Sequence, residues 1–182
     1  MGKRSEFPRY PQDAYSTPAA AVEPLLERLE QHTKFIEPCC GDGQLVVHLE
    51  RAGHILVAAY DLPIDARVHR YAEMRGDVTF ITNSPWRRAL LHPILVNLSD
   101  QAPTWLLVDA DWFFTRQAKP FLPRLRDIAV IGRVKWIPDS PFSGKDSCAW
   151  ALFDRPRPEA HATLRFFGRA DSTHVKRVRR AA

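Results

Sequence analysis

Apolar and polar residues follow each other along this chain with a period that switches repeatedly between helical and extended. Helical spacing begins after Thr17, a residue suited to cap a helix, and predicts a helix over 18–31. A strand is expected at 34–37 and a second helix at 44–51. Residues 55–60 are almost wholly apolar, which is typical of a strand buried on both faces of a parallel sheet. This order predicts a β-α-β unit.

The middle of the chain continues the alternation. A strand is expected at 78–82, and a helix follows with apolar positions from Leu90 to Leu98. Another buried strand is expected at 105–108. The segment 109–126 contains prolines and predicts an irregular helical crossover.

Two more strands are expected at 128–134 and 148–153. The polar loop at 138–147 is too short to hold a crossover helix, so these two strands should run antiparallel. The sequence therefore predicts a Rossmann-like α/β sheet of six or seven strands. It should be mostly parallel, with an antiparallel terminal strand and helices on both faces.

The length of 182 residues, with 45% hydrophobic residues, suits one domain with its own core. We expect an extended arm at 1–16, a folded domain at 17–154 and a tail at 155–182. No apolar run approaches the roughly 18 residues that cross a bilayer, and the first residues lack the apolar stretch of a signal peptide. A cytoplasmic location is therefore expected.

The formal net charge is +5, and the positive charge is concentrated in the tail. A basic end on a near-neutral body is typical of proteins that bind nucleic acid, because contacts to phosphates release counterions. A solvated tail is the alternative interpretation. The three cysteines and seven histidines show neither disulfide nor metal-ligand spacing, so we predict free thiols and no metal.

A glycine turn follows the first predicted strand, at 37–43. It begins a helix and brings backbone N–H groups close to a ligand. Asp61 ends the next strand, where a carboxylate can accept hydrogen bonds from the hydroxyls of an adenosyl ribose. Cys39 stands where a phosphate fingerprint would have its first glycine, and Glu37 would repel phosphate but attract a cationic amino group. An amino-acid cofactor is favoured over a pyrophosphate ligand.

A second turn, at 83–86, follows the strand at 78–82 and should lie on the same carboxyl edge of the sheet. The side-chain carbonyl of Asn83 and the backbone carbonyl of Ser84 can hold the hydrogens of an exocyclic amine and stabilise its developing positive charge. Trp86 offers a flat face on which an extruded base can stack. An Asx-type turn with a packed tryptophan is the alternative.

These residues resemble the class I S-adenosylmethionine-dependent methyltransferases, and within them the small adenine-N6 DNA methyltransferases of phages and prophages. The glycine turn is similar to the family's E-P-x-x-G-x-G cofactor motif, and Asp61 to its ribose-binding acid. The turn at 83–86 is similar to the N-P-P-W catalytic motif, and the segment 15–18 to one that flanks the methionine end of the cofactor. The resemblance implies S-adenosylmethionine as cofactor. The cofactor-binding residues expected are Tyr15, Thr17, Pro18, Glu37, Pro38, Cys39, Gly41, Gly43, Asp61 and Leu62, and the catalytic ones Asn83, Ser84, Pro85 and Trp86.

The chain departs from that family at two places. Ser84 replaces the first proline of the catalytic motif, which keeps the carbonyl but loosens the turn that aims it. The segment 62–77 is too short for the usual third strand and for the acidic residue near the adenine, for which Asp65 and Asp77 are the candidates. A catalytically silent protein that binds the cofactor or nucleic acid is the corresponding alternative.

Further candidates lie on loops at the same edge. Lys145 is placed to contact a phosphate backbone, and Trp112 to contact substrate or to join the core. Asp109 and Asp111 end a strand there and are candidates to orient substrate. The chain has no room for a separate recognition domain, so a homodimer would add surface for recognising the target sequence. DNA is the favoured partner. The alternative is an RNA adenine or a protein glutamine, whose amide nitrogen is likewise a poor nucleophile because its lone pair is delocalised.

Overall fold

Seven strands form a single sheet in the part of the protein that the computed structural model describes, which comprises residues 15–73, 76–137 and 144–156 and the backbone of 166–167. The strands are β1 (Lys34–Glu37), β2 (Ile55–Ala59), β3 (Val78–Thr82), β4 (Thr104–Asp109), β5 (Leu125–Arg133), β6 (Ser147–Phe153) and β7 (Phe166–Phe167). The helices are α1 (Ala19–Leu26), α2 (Gln44–Arg51) and α3 (Arg88–Ser99), with short 3₁₀ helices at Ala110–Phe114 and Leu122–Arg124.

The strands lie in the order β2-β1-β3-β4-β6-β5-β7. β1 pairs in parallel with β2 and β3, and β3 pairs in parallel with β4. β6 runs antiparallel to both β4 and β5, which confirms the antiparallel pair expected from the short loop. This strand lies between β4 and β5, inside the sheet. The two-residue β7, from the predicted tail, pairs in parallel with β5.

Helices cover both faces of the sheet, as predicted. α1 and α2 pack with one apolar cluster, around Phe35 and Trp150, because Leu45, Val46 and Leu49 place one apolar stripe on α2. α3 packs with a second cluster on the opposite face, around Phe80 and Leu106. Within the described ranges, none of the helices combines the length and apolarity that crossing a bilayer would require.

The prediction that 55–60 is buried on both faces is wrong. β2 lies at the edge of the sheet, and Ile55, Val57 and Ala59 are exposed. Residues 61–73 form turns and bends without a strand, as the shortness of this segment predicted. Asn97 of α3 holds this segment to the helix by donating to the carbonyls of Ala66 and His69. The apolar run therefore predicted a strand correctly, but it did not predict that this strand lies at the edge of the sheet.

Helix α1 is shorter than expected and is fastened to the sheet. It begins at Ala19 and ends at Leu26. The Trp150 indole nitrogen on β6 donates a hydrogen bond to the Ala21 carbonyl at 2.7 Å, and the Trp150 side chain is fully buried. Arg28, just beyond the helix, forms an ion pair with Asp127 of β5 at 2.8 Å. These contacts place the segment before α1 over the carboxyl edge of the strands.

Replacing Trp150 with Phe should lower the free energy of unfolding by about 2–4 kcal/mol, because it leaves a small cavity and deprives the buried Ala21 carbonyl of its donor. The measurement is urea denaturation, in which the m-value of the variant should equal that of the wild type. A loss below about 0.5 kcal/mol, which is typical of surface substitutions, would contradict the anchoring role.

Candidate active site

Two turns meet at the carboxyl edge of neighbouring strands. β1 ends at Glu37 and is followed by the glycine turn, while β3 ends at Thr82 and is followed by the turn at 83–86. The parallel register aligns Ile36 with Phe80, so both strands end at the same level. The two sequence motifs therefore face one site, as expected for ligands of open α/β sheets.

Asp61 closes the glycine turn. Its Oδ2 accepts a hydrogen bond from the Gly41 backbone nitrogen at 2.6 Å, and its Oδ1 accepts one from the Leu62 nitrogen at 2.7 Å. Gly41 and Gly43 have φ values of +50° and +76°, a region that side chains disfavour. Because each carboxylate oxygen has a further lone pair, Asp61 can also accept hydrogen bonds from two ligand hydroxyls.

The segment before α1 joins the two turns. The Ser16 hydroxyl donates to the Asp42 carboxylate, whose other oxygen accepts from the Gln44 nitrogen at the start of α2. The Asn83 side-chain nitrogen donates to the Thr17 hydroxyl oxygen at 3.2 Å. Thr17 is buried and contacts Asn83, and the helix cap that we predicted it to form is absent, because α1 begins after Pro18.

Glu37 is buried at the centre of this site, with a side chain only 1% exposed. Neither carboxyl oxygen has a hydrogen-bond partner among the described residues. Burial raises the pKa of Glu37 to about 8. The Thr82 hydroxyl and the Cys39 backbone lie near the carboxyl and partly oppose the increase in pKa, although neither meets hydrogen-bond geometry, and the Asp61 charge adds to it. A cation bound beside Glu37 would favour its charged form.

The hydroxyls of Thr82 and Ser84 are also buried without a partner among the described residues. Together with the Glu37 carboxyl they form a group of buried, unpartnered oxygens at the ends of β1 and β3. Buried polar groups usually have hydrogen-bond partners, so such a group is typical of a ligand site. A ligand that carries hydrogen-bond donors and a positive charge matches these oxygens.

An aromatic wall stands beside the turn at 83–86, the candidate catalytic turn. The Trp86 indole nitrogen donates to the Leu107 carbonyl of β4 at 2.9 Å. The Trp86 ring lies 5.9 Å from that of Trp136, nearly perpendicular to it, and the Tyr15 ring lies 6.1 Å from Trp136. Sequence reasoning missed Trp136, since it follows β5 and lies 50 residues from Trp86 in the sequence.

Gly144 allows the loop before β6 to close against Trp136. Its nitrogen donates to the Val134 carbonyl at 2.7 Å, and a Cβ atom at this position would lie 2.8 Å from that oxygen and 3.3 Å from the Trp136 ring. The neighbouring Lys145 is exposed at the rim of the same loop. Residues 138–143 of this loop lie outside the described residues, as does most of the basic tail.

Trp112 lies in the core and has no surface face for substrate. Its indole nitrogen contacts the His92 imidazole at 3.1 Å, and its ring packs near Phe121 and Phe153. The alternative that assigned Trp112 to the core therefore holds, because a buried ring cannot stack on a base. Asp109 instead accepts from the Asp111 nitrogen and caps the 3₁₀ helix.

The candidates for the acid near the adenine differ in their surroundings. Asp65 forms an ion pair with Arg67 at 2.7 Å, and this contact holds the pKa of Asp65 at about 2. Asp77 is exposed before β3. Of the expected cofactor residues beside the glycine turn, Pro38 is buried, Cys39 and Pro18 are half-buried, and Leu62 is exposed.

Comparisons with known proteins support the fold. No protein-family model matches the sequence, and no curated protein matches it. A solved structure described as a candidate RNA methyltransferase from Pyrococcus horikoshii matches with a TM-score of 0.53 and 15% identity, over 77% of this chain and 86% of that one. The fold is therefore the Rossmann-like methyltransferase fold that the sequence predicted.

Two other similar structures have TM-scores just below that one. A candidate class I S-adenosylmethionine-dependent methyltransferase from Listeria monocytogenes has a TM-score of 0.49 and 10% identity, over 82% of this chain and 62% of that one. The methyltransferase subunit of a type I restriction-modification system from Streptococcus thermophilus has a TM-score of 0.48 and 9% identity, over 80% of this chain and 46% of that one.

Glu37→Gln should remove a pH dependence of stability. The folded pKa of about 8 exceeds the ordinary value of 4.5, so the folded state binds the additional proton between these values. The free energy of unfolding should therefore fall as the pH rises from about 5 to about 8, by at most about 1.4 kcal/mol per pH unit. Urea denaturation across this range measures it, with Glu50→Gln on the exposed face of α2 as the control. Parallel pH profiles for the Glu37→Gln variant and the wild type would contradict the assignment.

Proposed function

We propose that this protein is an S-adenosylmethionine-dependent methyltransferase that acts on an exocyclic amine, adenine N6 in DNA. The observation that carries the proposal is the contact between the two turns through the segment at 15–18. Asn83 of the catalytic turn bonds Thr17, and Ser16 bonds Asp42 of the glycine turn. A cofactor on one turn and an amine on the other would then be held at a fixed separation, which favours transfer between them.

The residues around the glycine turn fit the cofactor. Asp61 would accept hydrogen bonds from the two ribose hydroxyls, because its oxygens are already aimed by the Gly41 and Leu62 nitrogens. Glu37 would pair with the cationic amino group, which supplies the partner that its buried oxygens lack. When bound, S-adenosylmethionine supplies a methyl group on a positively charged sulfur. Its transfer needs positioning more than acid catalysis.

Asn83 would hold the attacking amine. Its nitrogen is engaged with Thr17, which leaves the amide oxygen to accept a hydrogen bond from the amine. The Ser84 carbonyl is the second acceptor in this proposal. Two acceptors make the nitrogen more tetrahedral and stabilise the positive charge that develops as its lone pair attacks the methyl carbon.

The aromatic wall favours a planar heterocyclic substrate. A base brought to Asn83 would stack against Trp86, and Trp136 and Tyr15 would enclose it. Exposed cations lie on the segments that carry these rings: Arg87 follows Trp86, Lys135 precedes Trp136, and Lys145 borders the loop that contacts it. Stacking rings flanked by cations are typical of nucleic-acid sites and favour a base over a glutamine side chain.

The wild-type protein should transfer labelled methyl from S-adenosylmethionine to unmethylated DNA, and the product should be N6-methyladenine. Asn83→Ala should lower turnover on the order of 100-fold or more while calorimetric affinity for the cofactor stays unchanged, because the amide oxygen would contact the amine and not the cofactor. Asp61→Ala should instead weaken cofactor binding.

Other outcomes of the same assay identify the alternatives. Transfer to RNA or to a polypeptide, but not to DNA, would support methyl transfer to such a nitrogen but contradict DNA as the substrate. Cofactor binding without transfer to any of the three would support a silent binding protein, for which the loosened turn at Ser84 is the structural reason. Failure of the wild type to bind the cofactor would overturn the proposal.

A further inference from the structure

Phe114 is a large apolar side chain held in solvent at the edge of the sheet where the candidate active site lies. Its side chain is 83% exposed, although most phenylalanines bury their rings. It ends the 3₁₀ helix at Ala110–Phe114, which follows β4 directly. Because β4 pairs with β3 in parallel, this helix stands beside the catalytic turn, and Trp86 already bonds the β4 backbone at Leu107.

The exposure of Phe114 is imposed by its neighbours. Trp112, in the same short helix, is buried against His92 and Phe121, and Phe113 packs partly on the same core. The Thr115 nitrogen and hydroxyl both donate to the Trp112 carbonyl and end the helix. With Trp112 buried and the backbone closed at Thr115, Phe114 lies on the solvent side of this short helix.

Exposed cations lie on the segments around Phe114. Arg116 and Lys119 follow it on the same segment, and Arg87 and Arg88 stand at the start of α3; all four are exposed. Asp109, Asp111 and Asp146 are acidic groups in this region, and Asp109 is engaged in capping the helix. An aromatic ring between cations complements a nucleic acid, whose stacked bases lie between phosphates.

We propose that Phe114 is a wedge that enters duplex DNA beside the target adenine and occupies the space that the extruded base leaves. This inference rests on the proposed function. Reaching a base inside a duplex requires that it be unpaired and unstacked, and apolar side chains inserted between base steps stabilise the opened form. Because β3 and β4 end at the same edge of the sheet, Phe114 could fill the gap in the base stack while the extruded base lies at Asn83.

The test compares a duplex oligonucleotide containing the target adenine with the same strand left single. Phe114→Ala should lower kcat/KM on the duplex at least about tenfold and change it little on the single strand, where no opening is needed. Affinity for the cofactor should stay unchanged. Phe114→Trp should retain activity on the duplex. Val68→Ala, which truncates a side chain that is 71% exposed on another segment, is the matched control and should behave as wild type.

A second readout does not depend on turnover. With 2-aminopurine at the target position of the duplex, binding of the wild type should raise its fluorescence as the base unstacks, and Phe114→Ala should lose most of this increase. Equal losses of activity on both substrates, or no loss on the duplex, would overturn the wedge. If the wild type methylates no DNA, the proposed function fails and the wedge fails with it. If the wild type methylates DNA but Phe114→Ala does not lower activity selectively on the duplex, only the wedge fails.

Discussion

The parallel pairing of β1 with β2 and β3 is the constraint on which the rest of the structure depends. It aligns three strand ends, so that Glu37, Asp61 and Asn83 emerge at one edge although 46 residues separate the first from the last. The pairing extends beyond the strands, because the Tyr60 nitrogen donates to the Glu37 carbonyl and the Cys40 nitrogen to the Tyr60 carbonyl. The glycine turn is thereby tied to the end of β2, and Asp61 can close it.

The site retains polar groups at a cost to the free protein. A buried carboxyl without partners is destabilising when it is charged, and Glu37 lies between two strand ends with two unpartnered hydroxyls close by, within the described part of the chain. A ligand with a cationic donor would offset that cost only when bound. Cofactor binding and stability are then linked, since a ligand that binds only the folded state stabilises it. The Ser16 and Thr17 contacts would be strengthened by the same event.

The shortened segment after Asp61 changes one half of the sheet and leaves the site intact. β2 is an edge strand with exposed apolar residues, and the loop at 61–73 is held to α3 by hydrogen bonds from Asn97. Tyr60, His69, Tyr71 and Phe80 pack edge to face beneath this loop and form the local core. The register of β2 with β1 is kept, and with it the position of Asp61.

The sequence by itself determined the order of strands and helices, the fold class and the two turns, because each depends on local periodicity or on residues adjacent in the chain. β1, α2 and β3 have the predicted bounds. The tertiary structure decided which strand is an edge, which aromatic rings are exposed and which side chains meet across the site. Trp112 and Phe114 are two residues apart and both aromatic, yet one is in the core and the other in solvent. Trp136 reaches the site only because the folded sheet brings the end of β5 beside Trp86. Such outcomes depend on contacts between segments distant in sequence, and local pattern carries no information about them.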